Sequence, residues 1–183
     1  MAERAGHELI SEINALWAGH LEQIPAEWIP RGVAPNVTEF LTTVGLPTIE
    51  VGNHTFVHDE RMSHLIDYLD RHYLLLATAN SMLPWVDDSW PSWMADPDNG
   101  RVSLPSGSRS PHPIFVNSSL PQFLVALRVW HRDIWVPPMM TAEEGLTVYE
   151  RFERFLADHD PAAAEAGAYW PTELERRREG IEL

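Results

Sequence analysis

At 183 residues the chain is long enough to bury about 70% of its unfolded surface in one core. The absence of cysteine excludes disulfide scaffolds, thiolate metal sites and cysteine nucleophiles. Twenty-seven acidic against 13 basic residues give a net charge of −14, spread through the chain and containing no lysine, which argues against a nucleic-acid ligand and for a basic partner.

Leu9, Ile10, Ile13, Leu16 and Trp17 recur at helical spacing and predict an amphipathic helix over 3–19. Pro25, Pro30 and Pro35 keep the following stretch irregular, after which Thr38 is placed to cap a short helix that Gly45 and Pro47 stop. Ile49 to Val51 and Thr55 to His58 read as short strands around Gly52-Asn53, and Met62 to Tyr68 is ambiguous between helix and strand. The short apolar run Tyr73 to Thr78 predicts a central strand buried on both faces. Residues 92–104 predict strand, turn and strand, because Asp96-Pro97-Asp98-Asn99-Gly100 concentrates chain-reversing residues.

Residues 105–113 read as a surface loop and Ile114 to Asn117 as a strand. Ser119 and Gln122 then form a capping-box pattern for a helix carrying Phe123, Leu124, Leu127 and Trp130 on one face, broken by Pro137-Pro138. Thr141 and Glu144 repeat that pattern for a helix to about Asp158, and a last helix from Thr172 to Glu179 is expected to stop at Gly180. In that helix Arg176, Arg177 and Arg178 stand among Glu173, Glu175 and Glu179, as intrahelical ion pairs require. Helices at both ends around a run of hairpins give an α+β class with a mainly antiparallel central sheet.

No phosphate-cradling loop, dinucleotide fingerprint, nucleophile elbow or two-histidine zinc helix is present. Neither catalytic, metal-ligating nor cofactor-binding residues are therefore assigned, and no cofactor is expected. Of the clustered histidines His54, His58, His64 and His72, the first two stand about 13 Å apart if their segment is a strand, too far for one metal, so half-exposed surface imidazoles are expected. The N-terminus MAERAGHELI lacks the basic start and apolar run of a signal peptide, and the longest aliphatic run, Tyr73 to Ala77, is too short to span a bilayer. A cytoplasmic protein without membrane contact, monomeric or weakly dimeric, is expected.

The most unusual stretch is Pro84 to Asp98, where tryptophans interleave with aspartates. Aromatics rimmed by charge suit an interface hot spot, since tryptophan offers a large apolar area and a polar handle at small entropic cost. The candidate partner-binding residues are Trp85, Asp87, Asp88, Trp90, Trp93 and Asp96, with Glu22 and Glu27 from the N-terminal connection. The competing reading makes the tryptophans core residues of a sheet and the aspartates ordinary turn residues.

The order of Phe40-Leu41-Thr42-Thr43-Val44-Gly45-Leu46-Pro47, the strand Tyr73 to Thr78, the turn Asp96 to Val102, and Phe115-Val116-Asn117-Ser118-Ser119-Leu120 leading into Phe123-Leu124 resembles the SUKH superfamily. Its fourth subfamily of immunity proteins is the closest in pattern, with Trp170, Leu174 and Gly180 resembling the closing helix. The resemblance runs from about residue 36 to the C-terminus and departs from the pattern between Ser81 and Ser92. It implies one SUKH-like domain over 1–183, in which 1–35 supply the N-terminal helix and a proline-containing connection. It further implies a non-enzymatic protein that binds a secreted bacterial toxin inside the producing cell. Gly45-Leu46-Pro47 and Asn117-Ser118-Ser119 read as fold determinants. Combined with the acidity, this points to an immunity protein occluding a basic toxin domain, a nuclease or another nucleic-acid-modifying enzyme. The alternative is an intracellular scaffold of the same fold with no toxin partner.

Overall fold

The protein is described from a computed structural model, which covers residues 2–79, 91–106, 112–135 and 141–181. Helix α1, Ala2–Trp17, buries Ile13 and Trp17. The Trp17 indole donates to the Leu124 carbonyl at 3.1 Å, and Arg128 donates to the Leu16 carbonyl at 2.9 Å with its guanidinium over the Trp17 ring. The helix is thereby stapled to α3, Leu120–Trp130, more than 100 residues away in sequence.

Strand β1, Leu21–Glu22, pairs with β2, Leu46–Pro47, and between them lies α2, Pro35–Thr43. Helix α2 begins four residues earlier than the Thr38 cap predicts, with Ala34 in the cap position. Proline is well placed at the first helical position, where a missing N–H costs nothing. The Ala34 N–H just before it donates to the Pro97 carbonyl in the 96–100 turn. Gly45 then turns the chain at φ +88°, and its Cα lies so close to β1 that a Cβ would reach the Glu22 carbonyl oxygen.

The main sheet is antiparallel, in the order β3-β5-β6-β7-β8, with β4 also pairing with β5. The strands are β3 His54–Phe56, β4 Leu65–Tyr68, β5 Arg71–Ala79, β6 Pro91–Ala95, β7 Val102–Leu104 and β8 Ile114–Asn117. The predicted central strand is thus β5, buried from Tyr73 to Thr78. The 92–104 hairpin forms as β6, turn and β7, while Ile49 to Val51 is no strand: only Val51 bridges, to His54. Met62 to Tyr68 divides into a 3-10 turn, Glu60–Ser63, and β4.

Helix α3 packs its Phe123 ring against Phe56 and Trp93 on one face of the sheet. Ser119 caps it, but the capping box is half-made. The Gln122 amide accepts from the Ser119 hydroxyl and donates to the His159 carbonyl at the end of α4, Ala142–His159. Thr141 and Glu144 form the complete box that opens α4. Helix α5, Tyr169–Ile181, starts before the predicted Thr172 and runs through Gly180, which is no stop. Arg176 and Arg177 pair with Glu173 within α5, whereas Arg178 reaches across to Glu153 of α4 at 2.8 Å.

The Asn117-Ser118-Ser119 segment owes its residue types to a buried carboxylate. Asp160, 2% exposed at the end of α4, accepts from the Asn117 amide at 2.9 Å, the Ser118 N–H at 2.8 Å and the Ser118 hydroxyl at 2.7 Å. Asn117 in turn accepts from the Trp170 indole at 3.0 Å. Four groups from β8, the α3 start, the α4 end and α5 satisfy one another in a place without water, where an unpaired polar atom costs about 1–3 kcal/mol.

Candidate partner-binding surface

Residues 80–90 lie outside the described part of the structure, and with them Trp85, Asp87, Asp88 and Trp90. Their attachment points are described. Ala79 pairs with His54 and Pro91 with Thr78, so the stretch leaves and rejoins the sheet at one end of β5 and β6.

Trp93 does not belong to a surface set. It is 2% exposed, with ring centroids 4.1 Å from His54, 5.5 Å from Phe56 and 5.1 Å from Phe123. Alternation along β6 turns it toward α3, which makes it a core residue and corrects its assignment to the interface. Asp96 is half-buried beyond the far end of β6, roughly 16 Å along the strand from Pro91. Its carboxylate accepts from the Asp98 N–H, the turn role of the competing reading. Residues 84–98 therefore do not all share one end of the sheet. Glu22 and Glu27 are exposed on the connection between α1 and α2, and Glu22 lies 3.8 Å from His58.

Two features at the 79/91 end were missed. Trp135, closing a π-helical turn that continues α3, is 41% exposed, with the Arg177 guanidinium 5.0 Å from both its ring and that of Trp130. The β3 hairpin abuts it, since a Cβ on Gly52 would stand 3.5 Å from the Trp135 ring. The signal was present as a tryptophan just before the Pro137-Pro138 break, out of phase with the buried helix face.

His54 was also missed. It is half-exposed as expected, but its ring lies against Trp93 and its Nδ1 is buried with no hydrogen-bond partner among the described residues. Desolvation pushes its pKa down to about 4, opposed by the charge of Glu173. A histidine depressed from about 6.5 to about 4 binds its proton more tightly in the unfolded chain. Its contribution to stability is complete above pH 6.5 and is lost as the pH falls toward 4. Between pH 7 and pH 5 the wild type is expected to lose about 2 kcal/mol more than His54→Phe, which keeps the ring contact without the titration. Urea midpoints at the two pH values measure this, and parallel losses in both proteins contradict it. His131, lowered by burial and Arg128, supplies pH dependence common to both proteins.

Among the described residues no group of three or more histidine, aspartate or glutamate side chains is arranged to hold a metal ion, and no helix is long and apolar enough to cross a membrane. The geometry defines an α+β domain, an antiparallel sheet with α3 packed on one face and flanking helices at both ends of the chain. The family model of the SUKH-4 immunity protein matches residues 2–176, and the chain belongs to that family. The match takes in α1, which the motifs from residue 36 onward do not reach. No curated protein and no solved structure matches the chain.

Proposed function

We propose that this protein binds a basic toxin domain that acts on nucleic acid and blocks it by covering its active site, without catalysis of its own, in the cytoplasm and as a monomer or weak dimer. The observation that carries this reading is a net charge of −14 on a chain of an immunity-protein family. An acidic inhibitor presents to a nuclease the charge its substrate presents, and long-range attraction speeds the encounter.

The contact surface is assigned to the end of the sheet where residues 80–90 attach. Trp85 and Trp90 are the anchors and Asp87 and Asp88 the rim. The preorganised, exposed Trp135 one hairpin away supports that end, and Glu22 and Glu27 add negative charge from the neighbouring connection.

The test is co-expression with the product of the adjacent gene, followed by binding kinetics on any complex purified. Raising salt from about 50 to 500 mM is expected to slow association about tenfold or more. Trp90→Ala is expected to weaken binding by about 2 kcal/mol with little change in Tm. A salt-independent on-rate removes the electrostatic reading, and a loss of Tm with unchanged affinity moves Trp90 into the core. Absence of any complex or growth rescue leaves the scaffold reading in its place.

A further inference from the structure

The opposite end of the sheet carries a second surface of different chemistry. Leu74 pairs with Ala95, and Ala95 lies two residues from Trp93, which packs on α3. By the alternation of strands, Tyr73 and Met94 face away from α3. Arg71 precedes Tyr73 by two and shares its face. Asp96 donates its N–H to the Arg101 carbonyl and so brings Arg101 onto the same face, beside Ser103, the partner of Met94.

Arg71, Tyr73, Asp96, Arg101 and Ser103 line a groove of about 710 Å³, in which Tyr73 and Ser103 are the buried members. A second groove of about 340 Å³ continues it and shares Asn99 and Arg101. The two adjoin there as one trough, with Glu165 lining the second groove.

Two observations distinguish this trough. Arg61, Arg132, Arg176, Arg177 and Arg178 are held by carboxylates, whereas Arg71 and Arg101, like Arg31, Arg128, Arg151 and Arg154, make no ion pair with any described residue, and Arg71 and Arg101 are the two of these six that stand together in one groove. Arg101 is nonetheless held in place, its guanidinium 4.4 Å from the centre of the Phe115 ring. The β4–β5 turn at the rim places two consecutive non-glycine residues in the left-handed region, Leu69 at φ 50° and Asp70 at φ 62°. That conformation is unfavourable for a bulky side chain. It holds at the groove edge a leucine that is 47% exposed.

We propose that this trough docks an extended polypeptide segment of a partner protein that carries two acidic side chains, one met by Arg71 and the other by Arg101. Charge complementarity argues for the acids, since two unpaired guanidiniums face the groove. The carboxylates in the lining, Asp70 and Asp96 in the first groove and Glu165 in the second, argue for a polypeptide over a free phosphate. A compact anion meets those carboxylates as repulsion, while a peptide sets its N–H groups or a base against them. Two strand spacings and a two-residue offset put the arginine Cα atoms about 12 Å apart, so acids four residues apart, on one face of an extended chain and about 13 Å from each other, fit. Leu69 supplies the apolar contact at the rim. The site differs in position and in charge preference from the toxin-facing surface, and it does not depend on that assignment.

The probe is a fluorescein-labelled octapeptide with two glutamates four residues apart, compared with its glutamine counterpart by fluorescence anisotropy on the full-length protein. The glutamate peptide is expected to bind at least tenfold more tightly. Arg71→Ala and Arg101→Ala are each expected to weaken it about tenfold, and the double change to glutamate to shift the preference to an arginine-bearing peptide. Tm should stay unchanged in Arg71→Ala, whose guanidinium holds no ion pair, and fall only slightly in Arg101→Ala, which uncovers the Phe115 ring; Arg71→Gln serves where an alanine variant misfolds. Equal affinity for the two peptides, indifference to the arginine changes, or no binding at millimolar peptide overturns the proposal. Complete displacement by 10 mM inorganic phosphate overturns the polypeptide assignment in favour of a simple anion site.

Discussion

Gly45→Ala is expected to be among the most destabilising single changes in this protein. A Cβ at this position would stand 1.9 Å from the Glu22 carbonyl oxygen and 2.3 Å from its carbon. Both are backbone atoms of β1, so no rotamer change relieves the clash. The alanine must also adopt φ +88°, which adds strain of its own. Separation of β1 from β2 and a loss of about 3 kcal/mol or more follow, a fall in Tm of roughly 10 °C for a chain of this size. Gly32→Ala isolates the conformational part, since its φ is +95° with nothing within 4 Å of the new methyl. That control should cost about 1 kcal/mol, and equal Tm losses in the two variants would sink the argument.

Asp160→Ala is the second large effect. It removes the acceptor of three hydrogen bonds at once, leaving the Asn117 amide and both Ser118 donors facing a cavity. Hydrogen bonds to an acidic acceptor in a buried site put the loss at about 3–5 kcal/mol. Asp160→Asn is expected to retain most of the stability, because its oxygen can serve Asn117 and the Ser118 N–H while its NH₂ donates to the Ser118 oxygen. Urea denaturation distinguishes the two substitutions. An alanine variant no less stable than the asparagine variant would show that the network is decorative.

The elements legible from sequence are those whose causes are local. Leu74-Leu75-Leu76 needs two covered faces, Asp96 to Gly100 reverses the chain wherever it sits, and Thr141 with Glu144 bond to their own backbone. What escaped depends on partners far along the chain. Trp93 reads equally as anchor or core until Phe56 and Phe123 arrive on its side of the sheet. His54 looks like an ordinary surface imidazole until its ring meets Trp93, 39 positions later. Arg178 has glutamates within its own helix, yet pairs with Glu153, 25 residues back. The Asn117-Ser118 motif was recognisable as structural, but its counterpart Asp160, about 40 positions on, carries no signal of that role in its own neighbourhood. Gly180 misled for the opposite reason: on an exposed helix end a glycine costs only about 1 kcal/mol, and α5 runs through it.

The staple between α1 and α3 has a consequence for how the chain leaves the ribosome. Trp17 and Leu16 bond to Leu124 and Arg128, so the face of α1 that α3 covers has no cover until residue 128 has been synthesised. At about 5–20 residues per second, that interval is on the order of 10 s, far longer than a helix takes to form. Through that time the apolar stripe of α1 faces water or whatever else the translation machinery offers it. Nascent chains arrested shortly before Leu124 should therefore recruit holdase chaperones through α1, and chains released after α3 should not.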